Sequence, residues 1–358
     1  MGEPVSPLAT PSATRGVLEA HGLATKKALG QNFLVNDAVV GKIIDLADVG
    51  PSDVVLEVGP GIGTLTIALL KHVARVVSVE RDADLPAVLA DTCAPWASRF
   101  ALIEKDALGL AEDDVRAALA ATDDAAGDSA PARSAAAGAS GAAGTGGGFA
   151  VADGLAPGAA AASSAAATPG AFAALPNKFV ANLPYAVAAT LVLDYFQRFS
   201  WLQSATVMVQ KEVADRMAAH PGTKDYGAFT VKLALHARIV GRFAVGPQNF
   251  FPPPRVDSAV VRLNRAAPVY EDGRPVEPSV VRAAATMADA AFANRRKTLA
   301  NSCKMYFASQ GAAGAALAAA LPELFEKAQV DPRLRGEALQ VADFVRLGKA
   351  LAELQRAN

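Results

Sequence analysis

Leu56-Glu57-Val58-Gly59-Pro60-Gly61-Ile62-Gly63-Thr64 is the stretch that sets the architecture of this chain. Val54-Val55-Leu56 reads as a buried strand, and the apolar spacing of residues 65–72 reads as a helix. A glycine-rich turn between such a strand and such a helix is the opening unit of a doubly wound sheet. The pattern extends outward in both directions. Upstream, Val39, Val40, Ile43, Ile44 and Leu46 recur at helical spacing. Downstream, Val76-Val77-Ser78-Val79 and Phe100-Ala101-Leu102-Ile103 read as further strands, each separated from the last by a helical segment. Phe179-Val180-Ala181, residues 205–209 and the alternating residues 256–263 complete the strands, with a helix expected over 211–217. Strands alternating with helices predict a parallel α/β sheet.

At 358 residues the chain exceeds the usual single-domain size, so two domains are expected. Residues 1–20, rich in Pro, Ser and Ala, read as a flexible tail. Residues 21–267 carry the α/β pattern, and residues 268–358 read as a second, helical domain, clearest over 280–306 and 341–354. From about residue 112 to 175 the composition collapses into Ala, Gly, Ser and Pro. This predicts a disordered insertion within the first domain, because such a segment buries too little apolar surface to offset chain entropy. Alanine there inflates the apolar fraction of 52%. Cys93 and Cys303 stand apart with no CxxC or His-rich context, which argues against a disulfide framework or a zinc site and fits a reducing cytoplasm. No secretory leader or bilayer-length apolar run is evident, so a cytoplasmic protein without a membrane partner is expected.

The glycine loop has GxGxG spacing, not the GxGxxG that brings helix amides to a pyrophosphate. A glycine loop free of phosphate duty suits S-adenosylmethionine, whose amino-acid and ribose portions need close backbone approach. Glu80 ends the next strand, where a carboxylate accepts both ribose hydroxyls, and Asp106 ends the strand after that, placed to accept from the adenine amine. Each also has a plainer reading as a strand-end cap. Asn32, in Leu29-Gly30-Gln31-Asn32-Phe33-Leu34, either caps the following helix or folds over the cofactor.

Asn182-Leu183-Pro184-Tyr185 follows a buried strand. The Asn182 side-chain oxygen and the Leu183 carbonyl are two acceptors for the hydrogens of an exocyclic amine. Pro184 stiffens the turn, and Tyr185 offers a face on which a base stacks. Phe250, beside the rigid Pro252-Pro253-Pro254 turn, is a candidate second wall of that slot. A capped strand-to-helix turn explains the tetrapeptide equally well. The net charge of −1 provides no global pull toward nucleic acid, so RNA contacts are assigned to local cations: Lys26, Lys27, Arg255, Arg295, Arg296 and Lys297. Solvated helix faces are the alternative for the basic runs.

LGQNFL, LEVGPGIG, VVSVERD, KDAL, VANLPY, MVQKEV, FPPPRVDSAVVRL and FANRRKTLANS occur in that order. The set resembles the bacterial small-subunit ribosomal RNA adenine dimethyltransferases, the KsgA type, over about residues 21–350 apart from the insertion. The resemblance implies a mostly parallel seven-stranded class I methyltransferase (Rossmann-like) sheet with a small all-helical C-terminal domain. It implies S-adenosylmethionine-dependent N6 dimethylation of two adjacent adenines near the 3′ end of the small-subunit RNA, and no metal. Carried over by motif, Asn32, Leu34, Gly59, Gly61, Glu80, Asp106 and Asn182 line the cofactor site. Asn182 and Tyr185 meet the target base, and a basic helix at FANRRK contacts RNA. The expected partner is ribosomal RNA within a pre-ribosomal small-subunit particle, met by a monomer. Two other readings remain: a large-subunit ribosomal RNA methyltransferase of the macrolide-resistance type, and a noncatalytic assembly factor. Two departures are evident. Ala28-Leu29 stands where an aromatic usually precedes GQNFL, and the insertion is unusually long.

Overall fold

The computed structural model describes residues 3–26, 31–128 and 174–357. Lys27, expected to contact RNA, and most of the Ala/Gly-rich insertion lie outside the described residues.

In chain order the first half carries α1 (Pro11–Ala20), β1 (Phe33–Leu34), α2 (Asp37–Ala47), β2 (Val54–Val58), α3 (Thr64–Leu70), β3 (Arg75–Glu80), α4 (Leu85–Thr92), β4 (Phe100–Glu104) and α5 (Glu112–Asp128). The sheet resumes with β5 (Lys178–Asn182), α6 (Ala188–Arg198), β6 (Ser204–Gln210), α7 (Lys211–Met217), α8 (Ala228–Ala234), β7 (Ala237–Val245), β8 (Phe250–Phe251) and β9 (Ser258–Arg265). Four helices follow: α9 (Pro278–Phe292), α10 (Leu299–Ala308), α11 (Gly311–Ala328) and α12 (Val341–Ala357).

Seven strands form one sheet in the order β4-β3-β2-β5-β6-β9-β7. β4 through β6 run parallel, and β9 is antiparallel to both β6 and β7. The order reverses between β2 and β5, and such a switch opens a crevice at the carboxyl ends of the strands. Alternate residues feed opposite faces. Leu56, Phe179 and Val207 pack with α5, α6 and α7 on one side, while Val55, Val180 and Met208 pack with α2 and α3 on the other. All five residues of β2 are buried, as a strand covered on both faces requires. A separate core, built around Met287, Phe307, Phe325 and Phe344, holds α9 to α12 together and takes in Val231 of α8.

The structure corrects the sequence reading in four places. Residues 3–20, read as part of a flexible tail, are not loose. Thr10 caps α1 through Ala13 N–H at 3.1 Å, Pro11 opens the helix, and Leu18 is buried against Phe33, Ile62, Leu85 and Val88. Val5 and Ser6 also donate backbone N–H groups to Asp37, at 3.1 and 2.8 Å. The stretch from residue 112 begins as helix α5, because Val115 and Leu119, one turn apart, bury into the sheet core, and Asp114 accepts from Ala111 N–H at 2.8 Å. The segment 280–306 is two helices, and Arg295-Arg296-Lys297 falls in the turn between them, where Thr298 caps α10. β7 was not anticipated. It alternates exposed and half-buried residues at the sheet edge, with only Ala237 and Val245 buried at its ends, and a register shift between Ile239 and Gly241 interrupts its pairing.

Candidate active site

The crevice at the switch point holds a cavity of about 550 Å³. Its floor is the glycine loop. Gly59 and Gly61 adopt φ of 68° and 60°, and a Cβ at Gly61 would meet the Phe33 ring at 3.0 Å, so only glycine lets the chain fold this close. Gly59, Gly61 and Leu34 line this end of the cavity.

Glu80 closes β3 and lines the same wall. Its carboxylate accepts from the backbone N–H groups of Arg81 and Asp82, both at 2.9 Å. Burial raises its pKa, opposed by the N–H groups of Asp82, Arg81 and Gly61. Behind it, Glu57 is fully buried and accepts the hydroxyls of Thr66 at 2.7 Å and Ser78 at 2.8 Å. Burial pushes its carboxyl up to about 7. Asp106 follows β4, accepts from Leu108 N–H at 3.0 Å and lies 3.5 Å from the Arg81 guanidinium. Glu80 and Asp106 therefore present carboxylates along one wall, spaced across neighbouring strands β3 and β4. That set of acceptors and close backbone fits the ribose and adenine of S-adenosylmethionine.

Asn182, the last residue of β5, brings the opposite wall. Its side-chain Nδ2 donates to the Asn32 backbone carbonyl at 3.2 Å, which joins the GQNFL segment to the tetrapeptide. Asn32 does not cap α2, since Asn36 does so through Ala38 and Val39 N–H. Asn182, Leu183, Pro184 and Tyr185 all line the cavity. Tyr185 is fixed by a 2.6 Å hydrogen bond between its hydroxyl and Ser258 Oγ, and burial raises its pKa against that bond. Ser258 was not singled out from the sequence, although it follows the FPPPRVD turn directly.

Phe250 is placed elsewhere. It pairs with Leu34 across β1 and β8, is 3% exposed, and packs with Val245 and Val260 in the core, so it does not line the cavity opposite Tyr185. Leu34, which lines the cavity, shares that buried cluster with Phe250.

Among the basic residues, Lys26 is engaged on the cofactor side, 2.5 Å from both Asp82 and Asp84. Gln31 and Asp82, also missed, complete that network. Arg255 is exposed and lines a second recess that shares Gln210 with the main cavity. Arg295 pairs with Glu337 at 3.3 Å and sits over Phe292, while Arg296 and Lys297 are exposed. No helix of the described residues is long and apolar enough to cross a membrane.

Comparison with known proteins adds to this geometry. The profile of the family described as "Ribosomal RNA adenine dimethylase" matches residues 22–122 and 168–344. A protein of Thermobifida fusca named "Ribosomal RNA small subunit methyltransferase A" is 35% identical over 348 residues, covering 96% of each chain. One of Kineococcus radiotolerans with the same name is 37% identical, covering 96% of this chain and 92% of its own. Among solved structures, a dimethyladenosine transferase from Plasmodium falciparum has a TM-score of 0.60 at 20% identity, covering 90% of this chain and 98% of that one. The 23S rRNA methyltransferase ErmE reaches 0.51 at 20% identity, covering 89% and 99%. At that identity both speak for the fold alone.

Proposed function

The chain belongs to the ribosomal RNA adenine dimethylase family, and on that premise we propose that Asn182 to Tyr185 present the N6 amine of an adenine to a methyl donor held by Glu80 and Asp106. The enzyme is an S-adenosylmethionine-dependent adenine N6-dimethyltransferase of small-subunit ribosomal RNA. Its finer targets, in our reading, are two adjacent adenines near the 3′ end of that RNA, met by a monomer in the cytoplasm on an immature small-subunit particle.

When bound, S-adenosylmethionine supplies a methyl group already activated on a positively charged sulfonium. The chain's residues position and polarise. Glu80 accepts the ribose hydroxyls, Asp106 accepts from the cofactor's adenine, and the glycine loop admits the donor against bare backbone. The target amine is a poor nucleophile because its lone pair is delocalised into the ring. The Asn182 carboxamide oxygen and the Leu183 carbonyl accept its two hydrogens and draw the nitrogen toward tetrahedral geometry. Tyr185, held by Ser258, stacks the base, and Pro184 keeps the turn rigid. Neither acceptor is a base near neutral pH, so the amine proton leaves to water.

One observation carries this reading: the amine-clamp tetrapeptide and the two strand-end carboxylates line one cavity. The small-subunit assignment rests on relatives named as small-subunit methyltransferases at 35% and 37% identity over nearly the whole chain. Labelled S-adenosylmethionine incubated with small-subunit particles lacking the modification should place label in N6,N6-dimethyladenosine of the small-subunit RNA. Label found solely in large-subunit RNA would overturn the assignment.

A further inference from the structure

Asp82 lies two residues beyond Glu80, and its side chain is 5% exposed. Three groups converge on it. Lys26 Nζ donates to Oδ1 at 2.5 Å, Gln31 Nε2 donates to Oδ2 at 2.7 Å, and Asp84 N–H donates to Oδ1 at 3.2 Å. Gln31 Oε1 in turn accepts the Lys26 backbone N–H at 2.8 Å, which closes a ring of hydrogen bonds among Lys26, Gln31 and Asp82. The ring reaches the site at two places. The Asp82 backbone N–H donates to Glu80, the ribose acceptor, at 2.9 Å, and the residue after Gln31 is Asn32, whose carbonyl receives Asn182.

We propose that Lys26 and Asp82 are positioning residues for the methyl donor, which hold the Gln31–Asn32 backbone and the Glu80 carboxylate in register at one end of the cavity. Lys26 thereby belongs to the cofactor side of the enzyme and not to its RNA surface. An exposed ion pair contributes little, but this one has a buried partner, and removing the ammonium leaves the Asp82 charge without its cation in a low-dielectric setting. Burial works against ionisation of Asp82, yet Lys26, Asp84 N–H and Gln31 outweigh it and hold the carboxyl below its ordinary range. The bonds of the ring end on Gln31 and Glu80, which line the cavity, so the consequence of breaking it falls on donor binding.

The inference rests on the functional reading above, and S-adenosylhomocysteine binding by the unaltered protein separates the two. No binding there counts against that reading itself. Lys26→Met is expected to raise the S-adenosylhomocysteine Kd and the S-adenosylmethionine KM about tenfold, with kcat at saturating donor within about threefold of the parent. Lys26→Arg should restore both constants. Asp82→Asn should share the phenotype, and the Lys26→Met/Asp82→Asn double variant should be no worse than either single, because residues acting as one unit are non-additive. Affinity for small-subunit particles at saturating S-adenosylhomocysteine should be unchanged in Lys26→Met. Parent-like cofactor constants in Lys26→Met, additive effects in the double variant, or a loss confined to particle binding would each overturn the proposal.

Discussion

The Asn182 side-chain amide donates to the Asn32 main-chain carbonyl across 3.2 Å, so one hydrogen bond joins the segment ahead of α2 to the end of β5. With the nitrogen engaged, the carboxamide oxygen is the group that remains to accept a hydrogen from the target amine. Asn182→Ala removes that acceptor. Loss of one polar group aimed at a developing charge costs about 10²–10³ in turnover. We expect kcat on unmodified particles to fall by about 100-fold or more, while S-adenosylhomocysteine affinity by calorimetry stays within about threefold. Parent-like turnover would remove Asn182 from the chemistry.

Glu57 makes ligand-free stability depend on pH. Its carboxyl is raised to about 7 by burial, with Thr66 and Ser78 pulling the other way and Glu80 adding to the rise. In the unfolded chain it titrates near 4.5, so between 4.5 and about 7 the folded state holds a proton that the unfolded state has released. The stabilising contribution is complete below 4.5 and is lost as pH rises through about 7. Glu80, also raised, acts in the same direction. Asp53 and Asp82 are depressed from 3.8 and change the balance only in more acidic solution. The Glu57 contribution to thermal melts without cofactor should therefore decline from pH 5 to pH 8, against an opposing rise up to about 6.5 from His236, whose pKa burial lowers. Glu57→Gln, which keeps an acceptor for both hydroxyls, should flatten that decline and melt higher than the parent at pH 8. A Glu57→Gln profile superimposable on the parent's would show that another group carries the dependence.

Whether a feature could be read from sequence depended on how local its cause is. The glycine loop, Glu80, Asp106 and Asn182 were legible because each is punctuation at the end of an apolar strand, and a strand end in a parallel sheet faces the ligand crevice. α5 was hidden because among its described side chains the stripe that meets the core is Val115 and Leu119, with Ala118 beside them, within an alanine-rich run whose composition resembles that of an unfolded segment. α1 carried its start signal in Thr10-Pro11, but what makes it a folded element is Leu18 meeting Phe33 and Ile62, a contact between distant parts of the chain. Phe250 was placed in the base slot by motif alone, and its pairing with Leu34 required the tertiary structure. Lys26 looked like a basic patch because its acidic partners lie more than fifty residues away.

α1 is thus testable as part of the fold. Leu18 is 5% exposed and shares a cluster with Phe33, which itself lines the cavity. Leu18→Ala should lower the unfolding free energy by about 2–5 kcal/mol, the range for truncating a buried leucine, read as a shift in urea midpoint at unchanged slope. An unshifted midpoint would return residues 11–20 to the status of an appendage.

The turn between α9 and α10 separates two kinds of cation. Arg295 is tied to Glu337 at 3.3 Å and stacked over Phe292, so Arg295→Ala removes packing as well as charge. Arg296 and Lys297 are exposed, and among the described residues neither has an ion pair. Their charges are free to meet phosphates, and each phosphate contact contributes a fixed amount to the salt dependence of binding. Arg296→Ala and Lys297→Ala should each weaken association with small-subunit particles and reduce the slope of log Kd against log salt by about 1, measured between 50 and 200 mM salt. The melting temperature should hardly move, because neither side chain is buried. A weakened affinity with an unchanged salt slope would mean that the turn acts through the shape of the helical domain and not through its charge.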